Sequence, residues 1–362
     1  MFDYDQRIRR ARQAMDRLGV DCLLVSVGPD LPYLTGYEAM PSERLTMLVV
    51  GRDGEATLVI PELEAPRVAP GLFAIRSWSE SEDPTGIVAS LAGRPTVAAV
   101  GDHMRAVLLL GLLPRLPATT FVPASVVTRV LREVKDPAEV EALRAAAQAV
   151  DRVARRIPEE LRFGGRSERA VARDIVDMTL AEGHESASFW IVASGPNSAS
   201  PHHEPGDRII ARGDSVVVDF GGRMDGYCSD TTRTFVVGQP PPELIEVHAV
   251  VAAAQAAARA YARVGVTAAS VDAAARTVIE DAGYGDYFVH RLGHGIGLEG
   301  HEHPYLVAGN DHVLEPGNAF SIEPGIYLPG RLGVRIEDIA VIAPDGGLDV
   351  LNSSDRSLLM VD

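Results

Sequence analysis

Two pairs of carboxylates and one histidine are the residues of this 362-residue sequence best placed to do chemistry. Asp219 and Asp230 lie in Val216-Val217-Val218-Asp219-Phe220-Gly221-Gly222 and Cys228-Ser229-Asp230-Thr231-Thr232-Arg233-Thr234. Glu323 and Glu337 lie in Ser321-Ile322-Glu323-Pro324-Gly325 and Gly333-Val334-Arg335-Ile336-Glu337-Asp338. His294 falls between the pairs, in Leu292-Gly293-His294-Gly295-Ile296-Gly297. An acid inside an apolar strand is costly to bury unless something neutralises it. A turn centred on Met224-Asp225 would set residue 219 directly across from residue 230, with Cβ atoms about 5 Å apart. The second pair is symmetric about Gly330, the middle of a longer hairpin loop. Carboxylates that close need a counter-charge. Four of them with one imidazole match the donors of a site holding two divalent cations about 3.5–4 Å apart. Oxygen-rich ligation favours manganese, with cobalt or zinc as the other candidates. The expected ligands are Asp219, Asp230, His294, Glu323 and Glu337.

Histidines gather near the same segment: His290, His294, His301, His303 and His312 are half of the ten. Flanking glycines should let His294 approach a metal closely. His301 and His303 alternate on a strand-like stretch, and His301 reads as a substrate-side or oxyanion-stabilising group. His303 and His312 read as surface or supporting residues. His202 and His203 are too distant in the chain to place by spacing, although their loop could fold over the site. Gly295-Ile296-Gly297-Leu298-Glu299-Gly300 matches a dinucleotide-binding pattern by letter only, because His301-Glu302-His303-Pro304 cannot begin the required helix. Cys228 has no evident base beside it and reads as core.

The elements that must position these groups follow from periodicity. Arg7 to Leu18 carries a helical apolar stripe, and strand-like runs follow at Cys22 to Val27, Leu45 to Val50, Ala56 to Ile60 and Thr96 to Val100. This predicts an α/β domain over residues 1–134. Asp136-Pro137-Ala138-Glu139 combines an N-cap, a proline at the first helical position and a capping box, opening a helix to about Arg156. Weaker helical signal covers Glu168 to Glu182, and strand signal covers Phe189 to Ala193. Helices over Glu243 to Arg263 and Val271 to Ala282 separate the two carboxylate hairpins. Residues 135–362 therefore read as an α+β domain, an antiparallel sheet covered by helices on one face.

Composition bounds the function. A net charge of −16 argues against nucleic acid or an anionic membrane surface. Two cysteines, Cys22 and Cys228, form no disulfide framework, which fits a reducing cytoplasm. The first twenty residues read as a charged amphipathic helix rather than a signal peptide, and Val107 to Leu113 is too short to span a bilayer.

The motifs around Asp219, Asp230, His294, Glu323 and Glu337, in this order, resemble those of the pita-bread metallopeptidases, the superfamily of methionine aminopeptidases, Xaa-Pro peptidases and creatinase. Ser200-Pro201-His202-His203, His301-Glu302-His303-Pro304 and a creatinase-like N-terminal domain are similar to the Xaa-Pro branch. The resemblance implies a pita-bread catalytic domain, with Asp219 a terminal ligand of one metal and His294 and Glu323 ligands of the other. Asp230 and Glu337 would bridge. It implies His202, His290 and His301 around the substrate carbonyl and proline, Arg335 as a substrate or supporting contact, and Thr232 beside the bridging aspartate. The activity it implies is hydrolysis of the bond preceding proline, by a water between two metals, with Glu323 relaying the proton. Phe189 and Trp190 are candidate pocket walls, core packing being the alternative for at least one. An Xaa-Pro dipeptidase is the leading expectation. The alternatives are an aminopeptidase P acting on longer peptides, a non-prolyl C–N hydrolase of the same fold, and a silent binding module. Creatinase and the non-enzymatic members lack the metal ligands, whereas all five stand here. A homodimer is also implied.

Overall fold

The computed structural model describes residues 2–69 and 73–362, which divide into two compact units, one ending at Arg132 and one running from Glu133 to Asp362. In the first unit, Asp3 caps α1 (Tyr4–Leu18) by accepting from the Gln6 amide, and Gly19 ends it in the left-handed region. The chain continues through β1 (Cys22–Ser26), α2 (Asp30–Thr35), β2 (Met47–Gly51), β3 (Thr57–Pro61), β4 (Ala74–Trp78), α3 (Pro84–Ala92), β5 (Val97–Val100), α4 (Ala106–Leu112), β6 (Thr120–Pro123) and α5 (Ser125–Arg132). The strands form one mixed sheet in the order β4-β3-β2-β1-β5-β6. Its central strands are the apolar runs legible in the sequence. The two edge strands, β4 and β6, were not expected. Both are largely half-buried or exposed and carry no continuous apolar run.

The second unit opens with α6 (Pro137–Glu160), capped by the expected reciprocal box between Asp136 and Glu139, and extends a turn past the expected end. It continues through α7 (Glu168–Ala181), β7 (Ser186–Ser194), β8 (Ser215–Met224), β9 (Tyr227–Cys228), β10 (Thr231–Val237), α8 (Pro242–Tyr261) and α9 (Ala268–Asp281). Then come β11 (Gly293–Gly295), β12 (Glu302–Leu306), β13 (Ala319–Ile322), β14 (Gly325–Leu328), β15 (Leu332–Arg335), β16 (Asp338–Ile342), β17 (Leu348–Val350) and β18 (Leu359–Val361). There are two main sheets rather than one. β18-β10-β8-β7, with β9 on β8, forms the first; β12-β11-β13-β16-β17 forms the second; β14 and β15 make a separate ribbon. The pairings are antiparallel except that β18 runs parallel to β10. The carboxyl-terminal strand returns to an edge beside β10, a long-range pairing that no local pattern announces.

The two halves of this unit repeat an order. In each, a long helix precedes a 14-residue helix capped by a hydroxyl, Ser167 for α7 and Thr267 for α9, and then a sheet. Ser167 bridges to Ile209 and Thr267 to Val313 in matching fashion. Each half supplies one carboxylate hairpin. Apolar side chains of α8 and α9 pack with Phe320, Ile322, Val334 and Ile336, so one core backs the second hairpin. Those of α6 and α7 pack with Val216, Val218 and Phe220 behind the first. No helix among the described residues is long and apolar enough to cross a membrane.

Asp136→Ala removes both amide acceptances at the start of α6 and is expected to destabilise the protein by about 1 kcal/mol. Urea unfolding would register this as a lower midpoint at constant slope, and an unchanged midpoint would show that the cap contributes nothing.

Candidate metal centre

The first hairpin turns at Asp225-Gly226, both in the left-handed region with φ 50° and 80°. A two-residue turn of this kind needs positive φ at both central positions, which Asp-Gly supplies and Met-Asp does not. The turn centre therefore lies one residue beyond the expected one, and the register moves by two. Asp219 faces Thr232, not Asp230. Because strand side chains alternate with period two, the shift keeps Asp230 on Asp219's side, as a diagonal rather than a direct neighbour. The second pair follows its predicted symmetry. Gly325 faces Arg335 and Leu328 faces Leu332, while Ile322 faces Asp338, so Glu323 and Glu337 occupy the break between two ladders of one register.

The glycines around His294 serve a purpose other than the expected one. A Cβ on Gly293 would collide with the carbonyl oxygen of Ser321, and one on Gly295 with the carbonyl of His303. They allow β11 to lie against its neighbouring strands, which fixes where His294 points. The His294 Nδ1–H donates to the Gly295 carbonyl at 3.0 Å, leaving the Nε2 lone pair 3.3 Å from Glu323 Oε1 and 3.6 Å from Asp230 Oδ2. The glycine-rich stretch that mimics a nucleotide motif runs from β11 into a turn and β12, with no helix.

Around this point the donors converge. Asp219, Asp230 and Glu337 form one group with ligand atoms within 4.8 Å of one another; His294, Glu323 and Glu337 form a second, and Asp230, His294 and His301 a third. Asp219 Oδ1 and Glu337 Oε1 are buried and have no hydrogen-bond partner among the described residues. Buried carboxylate oxygens left unpartnered are unfavourable, and a pair of divalent cations is what this donor set fits. Electrostatics agree. Burial, then the charges of Glu337, Asp219 and Glu323, push the Asp230 carboxyl well above its ordinary range. Burial, then Glu323 and Asp219, do the same to Glu337. Glu323 is raised to about 7 by burial, against the pull of Arg335. Burial first, and then His301, lowers His294 to about 3, so its imidazole is neutral and able to ligate.

Arg335 is the cation inside this cluster. Its Nη2 donates to Asp219 Oδ2 at 2.5 Å, its Nε to Thr232 Oγ1 at 3.1 Å and its Nη1 to the Tyr327 hydroxyl at 2.8 Å. The Tyr327 hydroxyl donates in turn to His290 Nε2 at 2.9 Å, while His290 Nδ1–H donates to the Arg291 carbonyl at 2.7 Å. Burial and then Arg335 lower His290 to about 4, consistent with an accepting, neutral ring. Thr232 donates to Glu337 Oε2 at 2.6 Å, so it supports Glu337 rather than the aspartate it was expected to accompany.

A cavity of about 570 Å³ opens onto the cluster. Of the residues singled out in the sequence, ten line it: the five expected ligands with His202, His290, His301, Arg335 and Phe189. Phe189 lies beside a bulge in β7 and faces Gly221, whose missing side chain leaves room for the ring. Trp190 points elsewhere and is 43% exposed, so it is neither wall nor core. His303 packs its ring at a tilt against Tyr305 and His312 meets Asn318, both outside the cavity lining. Cys228 is buried.

Three residues escaped the sequence reading. Tyr327 faces Gly333, two residues from Arg335, and so shares a face with that arginine by strand alternation, a signal that was present. Arg291 lines the cavity, and its only local signal is its place beside His290. Glu168 reads as an ordinary first-turn acid. It in fact accepts from the Ser194 amide and hydroxyl, the Asn197 amide group, His203 Nε2 and the Gly206 amide, binding both ends of the loop that carries His202.

Without metal, Asp230, Glu323 and Glu337 have folded pKa values above their unfolded ones, so their contribution to stability is full below the unfolded pKa and lost as pH rises through the folded one. The depressed histidines His290 and His294 act oppositely, but only below about pH 6.5. Metal-stripped protein is therefore expected to lose Tm from about pH 6.5 to about pH 8, and to release protons when a divalent cation is titrated in near pH 7. Calorimetry in buffers of different ionisation enthalpy measures both; a Tm that climbs over this window without proton release contradicts the account.

Comparison with known proteins agrees with the geometry. Residues 141–344 match the model of metallopeptidase family M24, and residues 7–134 match the creatinase/prolidase N-terminal domain. The chain is 46% identical to a protein of Mycobacterium tuberculosis named probable dipeptidase PepE, across 99% of this chain and 96% of that one. It is 37% identical to the Xaa-Pro dipeptidase of Lactobacillus delbrueckii subsp. lactis, across 91% and 92%. A prolidase structure from Thermococcus sibiricus superposes with a TM-score of 0.95 at 38% identity, covering the whole of both chains. A catalytic unit matched to the family model, joined to the family's amino-terminal domain and carrying a buried cluster of side chains able to hold a metal, makes this chain a member of metallopeptidase family M24.

Proposed function

We propose that this metallopeptidase is an Xaa-Pro dipeptidase, cleaving the bond that precedes a carboxyl-terminal proline. The observation that carries the reading is the convergence, in one cavity, of the five metal donors with His202, His290, His301 and an apolar wall of Phe189, Ile191 and Pro201. The names of the relatives, Xaa-Pro dipeptidase and prolidase, support the same specificity.

Asp219, Asp230, His294, Glu323 and Glu337 would hold two divalent cations, manganese first by the oxygen-rich donor set. Bound there, the cations would supply Lewis acidity to the scissile carbonyl and a water acidic enough to attack near neutral pH. Glu323 would accept the attacking water's proton and return it to the imino nitrogen of the leaving proline. His202 and His301 line the cavity and would donate to the carbonyl oxygen as it gains charge. Arg335, tied to Asp219, Thr232 and Tyr327, would keep the donors in position. Proline offers no amide hydrogen, so its ring must be recognised by shape, a role for Phe189 and Ile191. Two buried cysteines that form no disulfide among the described residues suit a cytoplasmic enzyme, and a homodimer, testable by light scattering, completes the proposal.

Chelation followed by restoration of manganese should abolish and then recover proline release from Ala-Pro, with Ala-Pro-Ala cleaved far more slowly. Preferential cleavage of the tripeptide would instead make this an aminopeptidase acting on longer chains, and cleavage of neither would overturn the Xaa-Pro reading.

A further inference from the structure

The amino-terminal unit has a cavity of its own, lined by none of the residues of the metal centre. Its place follows from the sheet order. From β1 the chain steps outward through β2, β3 and β4 on one side. It then returns to β5 on the other side of β1 and steps outward again to β6. β1 and β5 run parallel, with Leu24 opposite Val100, so their carboxyl ends lie side by side where the winding reverses. In an open α/β sheet such a reversal leaves a crevice beyond the strand ends, and ligands bind there. Here the crevice is a cavity of about 270 Å³, with Ser26, Ser42, Arg44, Thr46, His103 and Arg105 as its polar lining.

Ser26 is the last residue of β1 and only 5% exposed, yet its hydroxyl has no hydrogen-bond partner among the described residues. An unpaired buried hydroxyl is unfavourable and marks a place where a partner is missing. Gly101, just past β5, leaves space beside that hydroxyl: a Cβ there would stand 2.9 Å from Ser26 Oγ. Arg105 donates through Nη1 to the Ser42 carbonyl at 2.6 Å and pairs with no carboxylate among the described residues. One bond orients its guanidinium and leaves most of the five N–H donors for another acceptor. Arg44 is engaged differently. Its Nε donates to Glu80 at 2.7 Å and its Nη1 to Glu43 at 2.8 Å, so its charge is cancelled locally. Asp102, beside His103, accepts from the Ser125 amide at the start of α5. Arg105 therefore supplies uncompensated positive charge to a lining otherwise rich in hydroxyl donors.

We propose that this cavity binds a phosphate group, either inorganic phosphate or the monoester of a small metabolite. A carboxylate presents two oxygens in one plane, which a single guanidinium fork satisfies. Donors spread over Arg105, Ser26, Ser42, Thr46 and His103 suit the larger number of acceptor oxygens on a tetrahedral anion. Pockets that enclose a drug-sized ligand begin at about 300 Å³, so the space here fits a small monoester rather than a nucleotide. The binding is separate from peptide hydrolysis and stands whether or not the substrate is an Xaa-Pro peptide.

The test is calorimetric titration of the full-length protein with inorganic phosphate and with glycerol 3-phosphate, glycerol serving as the neutral control. Wild type is expected to bind both anions and not glycerol, and the tighter of the two identifies the form that the cavity prefers. Arg105→Met should weaken binding by about 10- to 100-fold, and Arg105→Lys by less. Ser26→Ala should weaken it by about 3- to 10-fold. The same variant should leave Tm without phosphate unchanged or higher, because it removes an unpaired buried hydroxyl; a serine with a purely structural role would lower it. Proline release from Ala-Pro, assayed without phosphate, should be the same in all three variants. Phosphate held elsewhere, at the metal centre for instance, would be indifferent to Arg105→Met, so binding that survives this substitution overturns the proposal. No binding by wild type at about 10 mM phosphate overturns it as well.

Discussion

Like-charge crowding without solvent is the constraint on which the catalytic unit depends. Asp230 and Glu337 are almost wholly buried, Asp219 is little more exposed, and Glu323 joins them within reach of one imidazole. In a low-dielectric interior these groups cannot all ionise unless compensated. Arg335 compensates only in part: burial alone would loosen its proton, but the Tyr327 hydroxyl oxygen and the carboxylates of Asp219, Glu323 and Glu337 bind that proton more firmly than in water. The remaining deficit defines the site as one for cations. The unpartnered oxygens of Asp219 and Glu337 mark where that compensation has to come from.

Much of the surrounding structure is understandable as the scaffold such a cluster requires. The second hairpin keeps a single register through the break at Glu323 and Glu337, so both acids leave the ladder together and point to one place. Glu337 is held from behind twice. Thr232 engages its carboxylate, and Arg233 engages its carbonyl at 2.6 Å while pairing with the fully buried Asp338. Asp338 is further gripped by Gln255 and Arg356. A network satisfied at this many points is stiff, and stiffness there limits the play of Glu337, the candidate metal ligand one residue away. Glu168 performs a comparable service for the loop that carries His202, gathering donors from both of its ends onto one carboxylate.

Where the sequence was legible, a short-range rule was at work. The capping box of α6 depends on residues within a few positions of each other, and periodicity identified the central strands of both units. The register of the first hairpin was misjudged by two residues because the turn chemistry of Asp-Gly, not the pairing of acids, decides it. The error left the site intact only because two is the period of a strand. The edge strands β4 and β6 and the parallel strand β18 were not legible, since half-buried edges carry little apolar pattern and β18 joins β10 across more than a hundred residues.

The candidate donor set was legible in the sequence itself. Acids set into apolar strands in matched pairs, with a histidine in a glycine-rich segment between them, have few other physical uses. Only the tertiary structure decided what those donors lean on. Tyr327 between Arg335 and His290, Arg291 over Tyr305 and against His301, and the closure of the His202 loop by Glu168 all join side chains from different elements. Local spacing specifies which face a residue occupies. It does not specify which face of another sheet or loop will meet it, because that depends on how whole apolar surfaces pack.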